Sequence, residues 1–200
     1  MKISSRLLLP IAILAASATA GHAEWRAAEK VETYVIAGKT GPELYESIGQ
    51  KGPMVRDGKA RAIAHTNFNL TWSRKYEPKD GVCTLVSARP NLTITYTLPK
   101  PAGKLPAPTA GNWETFIAGI RAHEKVHGDL IRQMTKEIEA ATVGMSAAGD
   151  PKCVKIRTEL QKRLSEVYER YKQRSRDFDR AEMGNGGNVQ RLILALVNGG

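Results

Sequence analysis

The chain has 200 residues, which suits one domain better than two, and its 42% hydrophobic and 25% charged residues exclude wholesale disorder. Its net charge of +10 indicates a solvated charged surface, with binding to an anionic envelope component, such as a polymer or a lipid head group, as the alternative. No nucleic-acid-binding motif accompanies this charge, so the sequence predicts no DNA or RNA partner.

The N-terminus has the layout of a secretory signal peptide over residues 1–23. Lys2 and Arg6 precede an apolar run, and small residues allow cleavage after Ala20 or after Ala23. The run is too short to span a bilayer comfortably, so an exported chain, periplasmic or secreted, is predicted, with an uncleaved anchor as the alternative. No transmembrane segment is expected in the mature chain. Its net charge is +8, because the segment removed from the +10 chain holds two basic residues and no acid.

The mature chain, residues 24–200, is predicted to form a single domain. Strands should dominate residues 24–98, and a Pro/Gly-rich connector covers residues 99–111. Two long helices are predicted over residues 112–183, followed by a tail at 184–200. Strands first and helices second indicate an α+β fold, an N-terminal antiparallel β-sheet followed by two helices.

The strand half begins with a β-rich segment, Val31–Ala37, and a short helix that starts at Pro42. Apolar and polar residues then alternate over Phe68–Trp72, as in a half-buried strand. Two further strands are predicted within residues 83–98. The second of them, Leu92–Leu98, has the clearest alternation of the chain.

The helical half begins at Asn112, a predicted N-cap, with a helix over Trp113–Val143. Gly144 to Pro151 interrupts the helical pattern, and a second helix is predicted over Lys152–Met183. The tail ends in an apolar patch, Leu192–Val197, which is expected to dock on its own domain or, alternatively, on a partner.

The first long helix contains the sequence HEKVHG, from His123 to Gly128. Its two histidines lie four residues apart, so both point from one face of the helix, with Glu124 at the edge of that face. Burying this set without partners would be costly, and a zinc ion bound by His123 and His127 would supply the partner. Hydrogen-bonded core histidines are the alternative. The motif lies in an apolar stripe formed by Trp113, Phe116, Ile120, Leu130, Ile131, Met134 and Ile138.

A catalytic zinc site needs a third protein ligand. The first choice is Glu182, which continues the apolar stripe of the second helix, and the second choice is Asp179 beside it. Asn185 and His65 are further candidates. Alternatively the helix frays near Arg176 and both acids are solvated.

The two cysteines, Cys83 and Cys153, have no C-x-x-C spacing, which disfavours a structural zinc site. In an oxidising compartment a disulfide between them is the expected state, with metal ligation as the alternative. The disulfide would close a loop of about 70 residues and stabilise the fold by about 4 kcal/mol.

At this point the sequence resembles the secreted zinc-dependent proteases of bacteria, a family defined largely by its sequences. The similarity covers nearly all of the mature chain. It rests on YVIAGKTGPELYESI followed by KGP, on a cysteine followed by a strand ending in TYTLP, on NWETFIAGIRAHEKVHGDL, on the second cysteine, and on the pair Phe178-Asp179. The resemblance implies a zincin-like fold and a Cys83–Cys153 disulfide.

The same resemblance implies that His123 and His127 ligate zinc and that Glu124 is the general base. Members of that family usually carry His-Gly a few residues after the aromatic-Asp pair. This chain instead has Asn185-Gly186 near that place, so the third ligand departs from the family pattern.

The sequence therefore predicts an exported zinc metallopeptidase that hydrolyses a peptide or protein substrate through a zinc-activated water. Tyr171 is a candidate partner for the oxyanion. By analogy with other H-E-x-x-H peptidases, a substrate could add as a strand to Leu92–Leu98. The alternatives are a catalytically inactive zincin-like module that binds metal or an envelope partner, and a structural envelope protein without metal.

Overall fold

The computed structural model describes residues 25–55, 58 and 60–199, so the predicted signal peptide lies outside the described residues. Strands precede the two long helices, and the predicted α+β class is confirmed. No helix of the described segments is long and apolar enough to cross a bilayer. The elements in chain order are β1 Ala28–Ile36, α1 Gly41–Lys51, β2 Met54–Val55, β3 Ala60–Arg61, β4 His65–Lys79, β5 Val82–Pro101, α2 Ala107–Thr142, β6 Ser146–Ala148, α3 Lys155–Met183 and α4 Asn188–Asn198.

The main sheet is built around β5. Strand β4 pairs with it antiparallel along most of its length, and β6 pairs antiparallel with its first residues. Strand β1 runs parallel to β5, so the predicted antiparallel sheet holds for β4, β5 and β6 but not for β1. The reason is the connection between β1 and β4. This connection crosses one end of the sheet and leaves the position next to β1 free. Strand β4 then runs antiparallel to β1, and β5 returns parallel to β1 in the position between them.

This topology decides which strand has a free edge. Over Thr93–Thr97, β5 has β1 on one side and β4 on the other. A substrate therefore cannot add to Leu92–Leu98, and that prediction is wrong. Among the described residues, β4 pairs only with β5, so its other edge is open.

Strands β4 and β5 form one long hairpin joined by Asp80-Gly81. Both residues have positive φ, 51° and 75°, as a two-residue type I′ turn requires. The two strands predicted within residues 83–98 are one continuous strand. Pro90 does not end it, because it lies between the parts of β5 that pair with β6 and β1, where one edge is unpaired in the described part of the chain.

Helix α2 starts at Ala107, earlier than the predicted Trp113. Prolines are compatible with the first helical turn, so the predicted connector shrinks to residues 102–106. Asn112 is therefore inside the helix rather than at its N-cap, and its amide donates a hydrogen bond to the Gly199 carbonyl. Helix α3 begins at Lys155, slightly later than the predicted Lys152.

The core has separate parts along α2. Residues up to Ile120 pack with α1, α4 and the end of β5, and residues from Ile131 onward pack with the middle of β5 and with α3. The HEKVH motif lies between these two apolar clusters. The polar residues of the motif therefore lie at the boundary between the two clusters, where neighbouring elements can supply polar partners.

The apolar tail forms α4, which packs on α1 and α2. Val189 and Leu196 are buried there, so the expectation that the tail docks on its own domain is met. The approach to α1 is close, because a Cβ on Gly41 would lie 1.8 Å from the Leu196 carbonyl oxygen. Only glycine fits at this contact.

The predicted disulfide is present between Cys83 and Cys153, with a Cα–Cα distance of 5.3 Å. Next to it, the buried Asp150 side chain accepts hydrogen bonds from the backbone N–H groups of Val154 (2.7 Å) and Ile156 (2.9 Å) and so caps α3. Burial raises the pKa of the Asp150 carboxyl, but these backbone hydrogen bonds and the charge of Lys155 outweigh it and lower the pKa.

Replacing Asp150 with asparagine should lower the Tm at pH 7 by about 5 °C, because one of the two cap bonds and the carboxylate charge are lost. An acid whose pKa is lowered by folding stabilises the protein above its unfolded pKa of about 3.9 and loses that contribution as the pH falls through the folded pKa. The difference in Tm between the parent and the variant should therefore narrow below about pH 4. Thermal unfolding measured from pH 7 to pH 2 checks this. A pH-independent difference, or an equal effect of Asp80→Asn in the exposed hairpin turn, would contradict the assignment.

Candidate metal centre

The H-E-x-x-H motif lies in the middle of α2, on the side that faces α3 and β4. The exposed fractions of His123, Glu124 and His127 are only 4%, 5% and 9%. Such polar side chains are buried only where they have partners. Those partners come from α3, whose last turns bring a carboxylate to the two imidazole rings.

Three ligand atoms converge at this place. The Nε2 atoms of His123 and His127 are 3.2 Å apart, and Oδ1 of Asp179 is 3.3 Å from the first and 2.9 Å from the second. The ligands of a tetrahedral zinc ion at about 2.0–2.1 Å are separated by about 3.3 Å. The triangle therefore has the size that one such ion requires.

The chemistry of these atoms also fits a cation. Each Nε2 can carry only one hydrogen, so the three contacts cannot all be hydrogen bonds at once. A metal ion would accept lone pairs from His123, His127 and Asp179 together. Two imidazole nitrogens and one carboxylate oxygen suit zinc and other borderline transition metals, and the three residues form the cluster that could hold an ion within the described ranges.

The electrostatics of the centre couple these groups. Burial lowers the pKa of His123, but its hydrogen bond to Asp179 and the charges of Glu124, Asp179 and Glu182 outweigh it, so the pKa is raised. For Asp179, burial raises the pKa, whereas the hydrogen bonds from His123 and His127 lower it well below its usual range. The carboxylate is therefore held ionised, as a metal ligand must be.

Two neighbours on α3 orient the imidazole rings. Ser175 Oγ lies 3.1 Å from Nδ1 of His127, which leaves Nε2 directed at Asp179. The ring of Phe178 stacks on His123 with centroids 4.8 Å apart. Both residues are on α3, and their contacts depend on where α3 crosses α2, for which the sequence carries no signal.

Glu124 is oriented from the sheet. The hydroxyl of Thr66 on β4 donates a hydrogen bond to its Oε2 at 2.5 Å. Thr66 was not predicted as a site residue, because nothing in the local sequence of β4 distinguishes it from the other threonines of the hairpin. Its place follows only from the packing of β4 against α2.

The glycine that follows the motif has a packing role. A Cβ on Gly128 would lie 2.2 Å from the hydroxyl oxygen of Tyr96 on β5. That hydroxyl donates a hydrogen bond to Glu29 on β1 at 3.1 Å. Gly128 therefore lets α2 approach the sheet closely at the end of the motif.

The centre lines a cavity of about 660 Å³, a size typical of ligand sites. The cavity is bordered by α1, by the end of β3 and the start of β4, and by α3 and α4. Its polar lining residues include His123, His127 and Asp179 together with Glu124, Tyr171 and Ser175. The other lining residues are mainly apolar and include Tyr45, Val55, Ile63, Met183 and Ile193.

The structure ranks the candidates for the third ligand differently from the sequence. Asp179, the second choice, reaches both Nε2 atoms, whereas Glu182, the first choice, lies 3.7 Å from Nδ1, the other nitrogen of His123. Asn185 is exposed and does not line the cavity. His65 lines the cavity but is outside the cluster.

Comparison with known protein families gives a match that covers most of the chain. The family described as "Bacterial protein of unknown function (DUF922)" matches residues 31–187. The chain belongs to this family. The match spans the sheet, both cysteines, the H-E-x-x-H motif and α3, and it stops just before α4. No curated protein and no solved structure matches the chain.

Membership in DUF922 carries no activity with it, because the description of the family assigns none. The match shows a bacterial family of unknown function, and it neither supports nor contradicts the resemblance to zinc-dependent proteases.

Proposed function

We propose that this chain is an exported zinc-dependent metallopeptidase. The proposal is carried by one observation: the ligand atoms of His123, His127 and Asp179 have the separations of a tetrahedral zinc site, and Glu124 lines the same cavity. Zinc bound there supplies a Lewis acid that polarises the scissile carbonyl and lowers the pKa of water. The Cys83–Cys153 disulfide supports an oxidising, exported location.

Glu124 acts as the general base. Its carboxylate takes a proton from the water that attacks the scissile carbonyl carbon and delivers it to the leaving amine nitrogen as the C–N bond breaks. The hydroxyl of Thr66 holds Oε2, which fixes the orientation of the carboxylate without protonating it.

Tyr171 is suited to stabilise the negative charge that develops on the carbonyl oxygen. Burial raises the pKa of its hydroxyl to about 12, so the group keeps its proton at neutral pH. It lines the same cavity as Glu124. A neutral hydroxyl that donates a hydrogen bond is the kind of group that an oxyanion needs.

The substrate backbone binds along β4. Residues 63–66, at the start of β4 and just before it, line the cavity, and the outer edge of β4 is unpaired among the described residues. An extended peptide can add to such an edge through backbone hydrogen bonds. The mainly apolar residues of the cavity then contact substrate side chains.

Hydrolysis of internally quenched peptides by residues 24–200 tests the proposal. The zinc-loaded protein should cleave a subset of a mixed-sequence library. Removing the metal with a chelator should abolish cleavage, because the Lewis acid that polarises the scissile carbonyl is then lost, and one equivalent of zinc per chain should restore it.

Cleavage by residues 24–200 that resists the chelator would contradict the proposal. Tightly bound zinc without cleavage of any library peptide or unfolded protein would instead favour the alternative, a catalytically inactive zincin-like module that binds metal or an envelope partner.

A further inference from the structure

The outer nitrogen of His123 is unsatisfied. Its Nδ1 atom is buried and has no hydrogen-bond partner in the described part of the chain, whereas Nε2 faces Asp179 and His127. When Nε2 of a neutral imidazole holds a metal, the ring proton is on Nδ1. Metal binding therefore turns this buried atom into a donor that needs an acceptor.

Glu182 is placed to be that acceptor. Its Oε2 atom lies 3.7 Å from Nδ1 of His123, which is longer than a hydrogen bond but within reach of a small side-chain rotation. The same oxygen accepts a hydrogen bond from the side-chain amide of Asn188 at 3.3 Å. Asn188 is the first residue of α4, so the C-terminal helix holds the carboxylate from the far side.

The groups beside the outer nitrogens of the two histidines differ. The neutral hydroxyl of Ser175 lies 3.1 Å from Nδ1 of His127, and the carboxylate of Glu182 lies 3.7 Å from Nδ1 of His123. A carboxylate that accepts the outer N–H of a metal-binding histidine fixes the ring orientation and makes the imidazole a stronger electron donor. A hydroxyl also fixes the ring orientation, but it increases the electron donation of the imidazole much less.

We propose that Glu182 is a positioning residue that binds Nδ1–H of His123 when the metal is present, and that Asn188 of α4 holds Glu182 in place. The inference rests on the metal site of the proposed function but does not require peptidase activity. It assigns Glu182 to the outer side of the site, in place of the ligand role that the sequence suggested. It also makes α4 part of the support of the metal centre.

The test is the affinity for zinc, measured by competition with a chromophoric chelator. Glu182→Ala should still bind one equivalent of zinc, with a Kd about 10- to 100-fold higher than that of the parent. Glu182→Gln should recover part of this loss, because its amide oxygen still accepts the hydrogen bond. Asn188→Ala should weaken binding by less than about tenfold, since it removes only a neutral hydrogen bond.

Glu166→Ala is the matched control. Glu166 is an exposed acid on the same helix, with no ion pair among those of the described residues, and its loss changes the net charge equally. Its zinc affinity should equal that of the parent. The metal-free parent and the metal-free variants should have the same Tm. An equal Tm would show that a change in zinc affinity does not come from a loss of folding stability.

A direct signature comes from nitrogen-15 NMR of the zinc-loaded protein. The Nδ1–H proton of His123 should resonate far downfield in the parent and move upfield in Glu182→Ala. Equal zinc affinities of Glu182→Ala and Glu166→Ala would overturn the inference while leaving the metal site intact. A parent that takes up no zinc would overturn both this inference and the proposed function.

Discussion

Replacing Glu124 with glutamine should lower kcat/KM for peptide hydrolysis by about 10²- to 10⁴-fold, while zinc stays bound at one equivalent. The two side chains have the same shape, and the amide oxygen of glutamine can still accept the hydrogen bond from Thr66. An amide cannot, however, take the proton of the attacking water. The variant therefore removes the base and leaves the metal ligands untouched.

The matched control is Glu114→Gln, an exposed acid on the same helix, which should retain the activity of the parent. Zinc content and Tm measured on both variants separate a chemical defect from a structural one. Activity of Glu124→Gln within a few-fold of the parent, with zinc present, would mean that another group is the base.

Removing the disulfide has the second large expected effect. Cys83→Ser combined with Cys153→Ser should lower the free energy of unfolding by about 4 kcal/mol, because the bond closes a loop with a sequence separation of 70 residues. Both sulfurs are in a buried apolar cluster at the start of β5 and of α3, so the two hydroxyls add a cost of burial. Urea unfolding of the variant and of the oxidised parent measures the difference.

The metal centre should survive this change when the variant is folded. Asp179 lies 24 residues after the start of α3 at Lys155, about 36 Å along the helix, so the disulfide does not touch the site. One equivalent of zinc should still bind in the absence of urea. A loss of stability below about 1 kcal/mol would show that the loop is already restrained in the unfolded chain.

The sequence was sufficient for features that depend on local spacing. The histidines His123 and His127 share a face because they are four residues apart on one helix. The pairing of Cys83 with Cys153 followed from an exported chain with two cysteines. The fold class could be predicted from the order of strands and helices, because each element has its own local hydrophobic periodicity.

Contacts that depend on how helices and strands pack against each other could not be predicted from local sequence spacing. Tyr171 and Asp179 are sequence candidates, but that they line one cavity together with Ser175 depends on where α3 crosses α2. Glu182 continues the same surface, but the crossing of α2 and α3 places it beside the outer nitrogen of His123. Thr66 reaches Glu124 only because β4 packs against α2, a long-range contact that no local pattern records.

The metal content of residues 24–200 tests the central claim most directly. Protein purified without chelators, loaded with zinc and passed through gel filtration should contain one zinc per chain by elemental analysis. Asp179→Asn should contain well under one equivalent, because a neutral amide replaces a ligand, whereas Glu182→Gln should retain one equivalent. No zinc in the loaded parent, or full zinc in Asp179→Asn, would contradict a site formed by His123, His127 and Asp179.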